Sequence, residues 1–223
     1  MKVKKITALV PIKQHSSRVP NKNFKLINGK PLYYYIIISL TKSKYIKKII
    51  INTDSDIIKS KAPKLSKKII IYNRPKSICG DLVSMNRIIK YDVTHTDDQY
   101  YLQTHTTNPL LTTKTINQAI EIFFKNIPKK DSLFSVTRIQ TRLYDDSNKP
   151  INHDPKKLIP TQNLPPVWEE NSNLYIFTKK SFLKNNNRIG NKPHLFPMNE
   201  IEAIDIDNPE NFLFAQLAMK LKK

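Results

Sequence analysis

Ile6-Thr-Ala-Leu-Val-Pro-Ile12 opens into Lys13-Gln-His-Ser-Ser-Arg-Val-Pro-Asn-Lys-Asn23, and the junction between the two decides the fold. The first half is a short apolar run ending in polar residues, the pattern of a buried strand. Pro11 and Pro20 keep the second half out of helix. A buried strand that delivers a long cationic loop at its carboxyl end is the opening of many ligand-binding α/β sheets.

The rest of the chain repeats the theme. Pro31 to Thr41 predicts a helix, with a proline near its start. Lys48 to Thr53 reads as a second buried strand, followed by Asp54 and Ser55 as caps of a helix through Ala62. Lys68 to Tyr72 is a third strand, and Ser84 caps a helix to Asp92. Gln99 to Thr104 is a fourth strand, Thr112 or Thr113 starts a helix to Lys125, and Ser132 to Thr137 is a fifth strand. Alternating apolar strands and amphipathic helices argue for an α/β fold, a mostly parallel sheet with helices on both faces. The polar loops Lys13–Asn23, Thr53–Asp56 and Gln103–Asn108 all follow strands, where ligands of such sheets bind. The rhythm breaks from Arg138 to Glu170, which holds five prolines and no clean period. It resumes with strands at Asn173–Phe177 and Ile201–Ile206, then a helix from Pro209 to about Leu221.

Composition narrows the function. Of 223 residues, 39% are hydrophobic, which suits a packed core. The longest apolar stretch, Leu32 to Leu40, is far too short to cross a bilayer, and Met1 to Val10 has no signal-peptide core, so a cytoplasmic protein without membrane association is expected. The single cysteine, Cys79, excludes an intrachain disulfide framework and a multi-cysteine zinc site. The formal charge of +20 invites a nucleic-acid reading, but the lysines are scattered rather than gathered in a stripe, and glycine occurs only three times. Compositional drift is the preferred reading, and a nucleic-acid partner is not expected. The positive field would still draw in triphosphates and acidic sugars.

Several segments carry chemistry. The first loop offers Lys13, Arg18 and Lys22 with hydroxyls and an asparagine, donors that suit a triphosphate, though a solvated basic loop has the same composition. It is neither a Walker A loop nor a glycine-rich dinucleotide fingerprint. Asp205 and Asp207 stand two apart on the expected last strand and so share a face. Paired carboxylates suit Mg²⁺, and an Asp cap for the last helix is the alternative. Gln103 to Asn108 supplies neutral donors and acceptors for sugar hydroxyls. Its His105 reads as a satisfied polar histidine, because nothing nearby supplies the orienting partner a general base needs.

In order, these motifs resemble the acylneuraminate cytidylyltransferase (CMP-sialic acid synthetase) family, in a divergent form. Ile12 to Asn23 is similar to the family's A-R-x-G-S-x-R-x-P-x-K-N. Leu26 to Leu32 resembles its turn into the first helix, and Thr53-Asp-Ser55 its TDS. Arg74-Pro75 with Asp81 and Ser84, Leu102 to Leu110, Asp131 to Thr137, Glu170 to Ile176 and Asp205-Ile-Asp207 resemble its later motifs. The likeness runs from about Ile6 to Ala218.

The resemblance implies a three-layer Rossmann-like nucleotide-diphospho-sugar transferase fold. It implies one cytidylyltransferase domain over residues 1–223, with 138–170 as a dimerisation excursion completing the partner's sugar site. It implies transfer of CMP from CTP to the anomeric hydroxyl of an acidic nonulosonate, with pyrophosphate released. Lys22, Arg18 and Asp207 would be catalytic. Lys13, Ser16, Arg18, Lys22, Asn23, Arg74 and Ser84 would bind the nucleotide. Gln103, Thr104, Thr106 and Arg142 would bind the sugar, and Asp205 and Asp207 would hold Mg²⁺. The departures fall at the site: Lys13 replaces an arginine, Gln14-His15 replaces a glycine, and Ser172 replaces the glycine of ENG. They leave room for another keto-sugar acid of the Kdo, legionaminate or pseudaminate type, or for a degenerate polyanion-binding domain.

Overall fold

The computed structural model describes residues 2–16 and 19–221. Nine strands are present among them: β1 (Ile6–Leu9), β2 (Leu26–Ile27), β3 (Lys30–Pro31), β4 (Ile46–Thr53), β5 (Ile69–Asn73), β6 (Tyr100–Thr104), β7 (Ser132–Ile139), β8 (Val167–Thr178) and β9 (Pro193–Pro197). Six helices join them: α1 (Leu32–Lys42), α2 (Asp56–Lys61), α3 (Met85–Thr94), α4 (Thr113–Asn126), α5 (Lys179–Asn185) and α6 (Pro209–Leu221).

Seven strands form one sheet in the order β5-β4-β1-β6-β8-β7-β9, and β2 and β3 form a small hairpin. Every neighbouring pair in the large sheet is parallel except the two pairs made by β8. Alternation along the strands sorts the core onto two faces. Ala8, Ile49, Ile51, Leu102 and Ile176 pack with Ile36 and Leu40 of α1, Ile58 of α2 and Ile120 and Phe123 of α4. Leu9, Ile50, Tyr101, Tyr175 and Phe177 pack with Ile89 and Val93 of α3 and Phe182 of α5. The result is the expected three-layer α/β arrangement. β1 leads to β4 on one side and is flanked by β6 on the other, so the chain reverses direction across the sheet between β1 and β6. That is where open α/β sheets bind ligands.

Three of the helix starts follow the chemistry read from the sequence, and Thr178 starts α5, a helix the sequence did not announce. Ser55, Ser84, Thr112 and Thr178 each accept a hydrogen bond from the backbone N–H three residues on. Pro31 precedes α1 with φ −66°. α2 ends at Lys61 and passes into a 3-10 turn over Ala62–Leu65, because Pro63 has no N–H to give.

Several features differ from expectation, the unannounced β2–β3 hairpin and α5 among them. Ile201 to Ile206 is not a strand. Asn199 folds the chain over, accepting from Ile201 N with its side chain and from Ala203 N with its carbonyl. The sheet position next to β7 is taken instead by β9, an edge strand bounded by Pro193 and Pro197 that the sequence reading passed over. Asp205 to Asp207 then crosses the strand ends, fastened by Ile206 N to the Thr107 carbonyl at 2.9 Å. The fifth strand and the one after the excursion are also longer than expected. β7 and β8 stay paired out to Ile139 and Val167, so the segment between them leaves the sheet on a two-stranded stalk.

Candidate active site

The site is assembled from loops that leave the carboxyl ends of β1, β5 and β6, closed by the crossing segment before α6. Val10 and Ile12 continue β1, donating to the carbonyls of Ile50 and Asn52 on β4. This carries Lys13 past the sheet edge. The Lys13 ammonium pairs with Asp81, whose carboxyl that contact holds below its usual range. The loop between is pinned by Gln14 N to Asp54 Oδ1 at 2.8 Å and by Asn23 Nδ2 to the Lys13 carbonyl at 2.8 Å. Asn23 Oδ1 in turn accepts from Thr106 Oγ1 at 2.6 Å, which ties the first loop to the loop after β6. Lys22 is buried and donates to the Ile206 carbonyl, with Asp207 Oδ1 at 3.3 Å. A lysine is thus anchored to the crossing segment from the first loop.

Together these groups line a cleft of about 370 Å³ whose wall includes Lys13, Ser16, Lys22, Asn23, Arg74, Thr106, Asp205 and Asp207. Asp205 and Asp207 both line it although they lie on no strand; Ile206 between them is fastened to the Thr107 carbonyl. Asn208, not Asp207, caps α6, accepting from Asn211 N at 2.7 Å.

Arg74 follows β5 and is held from behind. Its Nε donates to Asn52 Oδ1 at 2.8 Å and its Nη2 to the Asn52 carbonyl at 2.7 Å. Asn52 Nδ2 donates to Asp92 Oδ1 at 2.6 Å. Burial pushes the Asp92 carboxyl up to about 7, against the opposing pull of Asn52 and Arg74. Asn52 and Asp92 were not singled out in the sequence; the signal available was a polar residue inside an isoleucine run.

Three expected site residues stand outside the cleft lining, whereas Arg142 is on the excursion where it was expected. Ser84 caps α3 while its neighbours Val83 and Met85 line the cleft. Thr104 is buried and donates to the Asn173 carbonyl at 2.6 Å. Gln103 is buried behind His105 and bonds to Arg188. Arg142 lies on the excursion, donating to the Ile159 carbonyl at 2.7 Å. Arg18 lies outside the described residues.

Nothing in its local sequence marks Arg188 as a site residue. It lies between α5 and β9, with its guanidinium 3.6 Å from the centroid of the Tyr175 ring. Its Nη1 is 2.7 Å from Gln103 Oε1 and 3.4 Å from His105 Nε2, and Glu170 lies 4.0 Å from its Nη2. Burial, followed by the charges of Arg188 and Lys22, drives the His105 ring down to about 3, so it is neutral at physiological pH. His105 therefore has orienting partners after all, Gln103 two residues upstream and Arg188 83 positions away.

The glycine substitutions resolve differently. Ser172 takes φ 56°, a left-handed conformation that glycine adopts without cost. Gln14 and His15 are not among the non-glycine residues with positive φ, so the first loop has adapted to its side chains. Among the described residues, no helix is long and apolar enough to cross a membrane, and no group of three or more His, Cys, Asp or Glu side chains forms a metal cage.

The model of one protein family, described as cytidylyltransferase, matches residues 7–214. A CMP-N,N'-diacetyllegionaminic acid synthase of Campylobacter jejuni is 26% identical over 222 residues, covering 93% of this chain and 92% of that one. An N-acylneuraminate cytidylyltransferase of Escherichia coli is 24% identical over 217 residues, covering 95% of this chain and 51% of that one. Among solved structures, a CMP:2-keto-3-deoxy-manno-octonic acid synthetase complexed with CTP superposes with a TM-score of 0.71 at 12% identity, covering 99% of this chain and all of that one.

Proposed function

The chain belongs to the cytidylyltransferase family, and on that premise we propose that it transfers CMP from CTP to the anomeric hydroxyl of an acidic nonulosonate sugar. The observation that carries this reading is the cleft itself. Cationic Lys13 and Lys22, the fixed Arg74 and the carboxylates of Asp205 and Asp207 line one cavity at the sheet's reversal point. The relatives named for legionaminic and neuraminic acid chemistry support the sugar class.

In the proposed reaction the anomeric oxygen forms a bond to the α-phosphorus as the bond to the bridging oxygen breaks and pyrophosphate leaves. Charge builds on the phosphate oxygens, so fixed cations placed before the event lower the barrier. Lys13, Lys22 and Arg18 would hold the triphosphate, with Ser16 as a further donor. Arg74, braced by Asn52, would face the nucleotide, and α3 beginning at Ser84 would shape that wall. Asn23 and Thr106 bond to each other and line the cleft, so they would hold the two loops in register while facing the nucleotide and the sugar respectively. Gln103 and Thr104 would shape the sugar end from behind His105. His105, neutral at physiological pH, is a poor general base.

Asp205 and Asp207 are oxygen ligands on one cleft wall and fit Mg²⁺, whose remaining ligands would be water and substrate phosphate. Bound there, the ion would neutralise phosphate charge and acidify the attacking hydroxyl.

We further propose that residues 1–223 act as one domain that works as a cytoplasmic homodimer, with the 138–170 excursion reaching the partner's sugar site. Exposed Tyr144, Ile151, Leu158 and Trp168 on the excursion support this, and Arg142 would meet a sugar carboxylate across the interface. Pyrophosphate release with CTP and a panel of neuraminate, legionaminate, pseudaminate and Kdo acids tests the activity. Release with none of them sinks it, and light scattering that finds only monomer sinks the dimer.

A further inference from the structure

We infer that His105 is a substrate-binding residue held as the neutral Nδ1–H tautomer, and that Arg188 is the positioning residue that sets this state. The tautomer follows from donor and acceptor chemistry alone. A guanidinium can only donate, so the Gln103 atom 2.7 Å from Arg188 Nη1 is the amide oxygen. The amide nitrogen must then face the Thr104 carbonyl and His105 Nε2, each at 3.0 Å. An amide nitrogen can only donate, so Nε2 of His105 accepts. Arg188 Nη1, at 3.4 Å, aims a second donor at the same atom. A neutral imidazole carries one N–H, and it is therefore on Nδ1.

The geometry is fixed on all sides. The guanidinium rests on the Tyr175 ring, and Tyr175 donates to Glu170, which flanks Arg188. Arg188 N also donates to Asn86 Oδ1 at 3.3 Å. The ring itself lines the cleft with Thr106, Thr107, Asp205 and Asp207. From a ring held in such a wall, Nδ1–H would be offered to an anionic oxygen of the substrate, either the sugar carboxylate or a phosphate. The substrate part of this inference rests on the proposed cytidylyl transfer; the tautomer does not.

The experiment has two arms. In the first, ¹⁵N-histidine NMR on the substrate-free protein at neutral pH reads the ring directly. A protonated Nδ1 and an unprotonated Nε2 are expected, with a tautomer mixture in Arg188→Met. A protonated Nε2 in the wild type, or an unchanged ring in Arg188→Met, overturns the inference. In the second, His105→Leu should raise one KM by about tenfold, as loss of a hydrogen bond to a charged group does. A rise for the sugar acid identifies the carboxylate, and a rise for CTP identifies the phosphate. His105→Asn, whose amide nitrogen replaces Nδ1–H, should recover most of the loss, a rescue that a purely structural role would not give. Both KM values unchanged in His105→Leu overturn the substrate contact. Because the first arm needs no substrate, a wild type that turns over no CTP would defeat the functional reading while leaving the tautomer measured.

Discussion

Lys22 Nζ lies 3.3 Å from Asp207 Oδ1, although 185 positions separate the two residues in the chain. The same ammonium donates to the Ile206 carbonyl, so one buried side chain joins the first loop of the fold to the last loop before α6. Both residues line the cleft, so the contact places a cation beside the proposed metal carboxylates. It also means that changes on either side can be tested separately for chemistry and for folding.

Asp207→Ala should cost at least about a hundredfold in Mg²⁺-dependent turnover, the scale seen when a fixed electrostatic group is removed from a transition state. The fold should survive, because Asn208 rather than Asp207 caps α6. Steady-state pyrophosphate release and circular dichroism check both halves. Near-normal turnover in the variant would refute the metal assignment.

Arg74→Lys should weaken CTP binding by about tenfold while leaving the melting temperature within a few degrees. A lysine keeps the charge but cannot make the paired Nε and Nη2 contacts to Asn52, so the cation is no longer fixed. Titration calorimetry with CTP measures this. Unchanged affinity would show that Arg74 does not face the nucleotide.

Asp92→Asn should change how stability depends on pH. The Asp92 carboxyl is raised from 3.8 to about 7 in the folded protein by burial. Between about pH 4 and 7 the native state holds a proton that the unfolded chain has released, so stability falls as pH rises through that window and this group adds no further slope above it. The asparagine removes the slope and keeps an acceptor for Asn52 Nδ2. Near pH 4 the two proteins should be alike, and at pH 8 the variant should be more stable by something on the order of 2–4 kcal/mol. Urea unfolding at both pH values decides it, and a gap of equal size at each would contradict the assignment.

Ser172→Gly should stabilise the protein by about 1 kcal/mol, the cost of placing a side chain in left-handed backbone. Ser172 has φ 56° and gives only a long 3.4 Å contact to Tyr175 in return. A lower melting temperature in the variant would mean that the serine hydroxyl is worth more than the strain.

Much of the fold was legible because local chemistry and global architecture agree. The isoleucine run of β4 reads as a buried strand and is one, and Ser55, Ser84 and Thr112 announced helix starts that the structure confirms. Lys13, Lys22, Asn23, Arg74, Asp205 and Asp207 do share one cleft. Reading failed where tertiary competition decides. Ile201 to Ile206 is apolar enough for a strand, but β9 occupies the available sheet position and the Asn199 turn lifts the segment across the strand ends. The roles of Arg188, Asn52 and Asp92 were equally hidden, because each is defined by a partner dozens of residues away.

By itself, then, the sequence determined that an apolar strand hands its chain to a cationic loop, and that this happens within an alternating α/β frame. Periodicity and capping are local, and a linear chain carries them in full. Only the tertiary structure decided which polar groups are bound to one another. Arg188 meets His105 across 83 positions, and Lys22 meets Asp207 across 185. Hydrogen-bond partners at such separations are chosen by the packing of the sheet and its crossing loops, which no local pattern encodes.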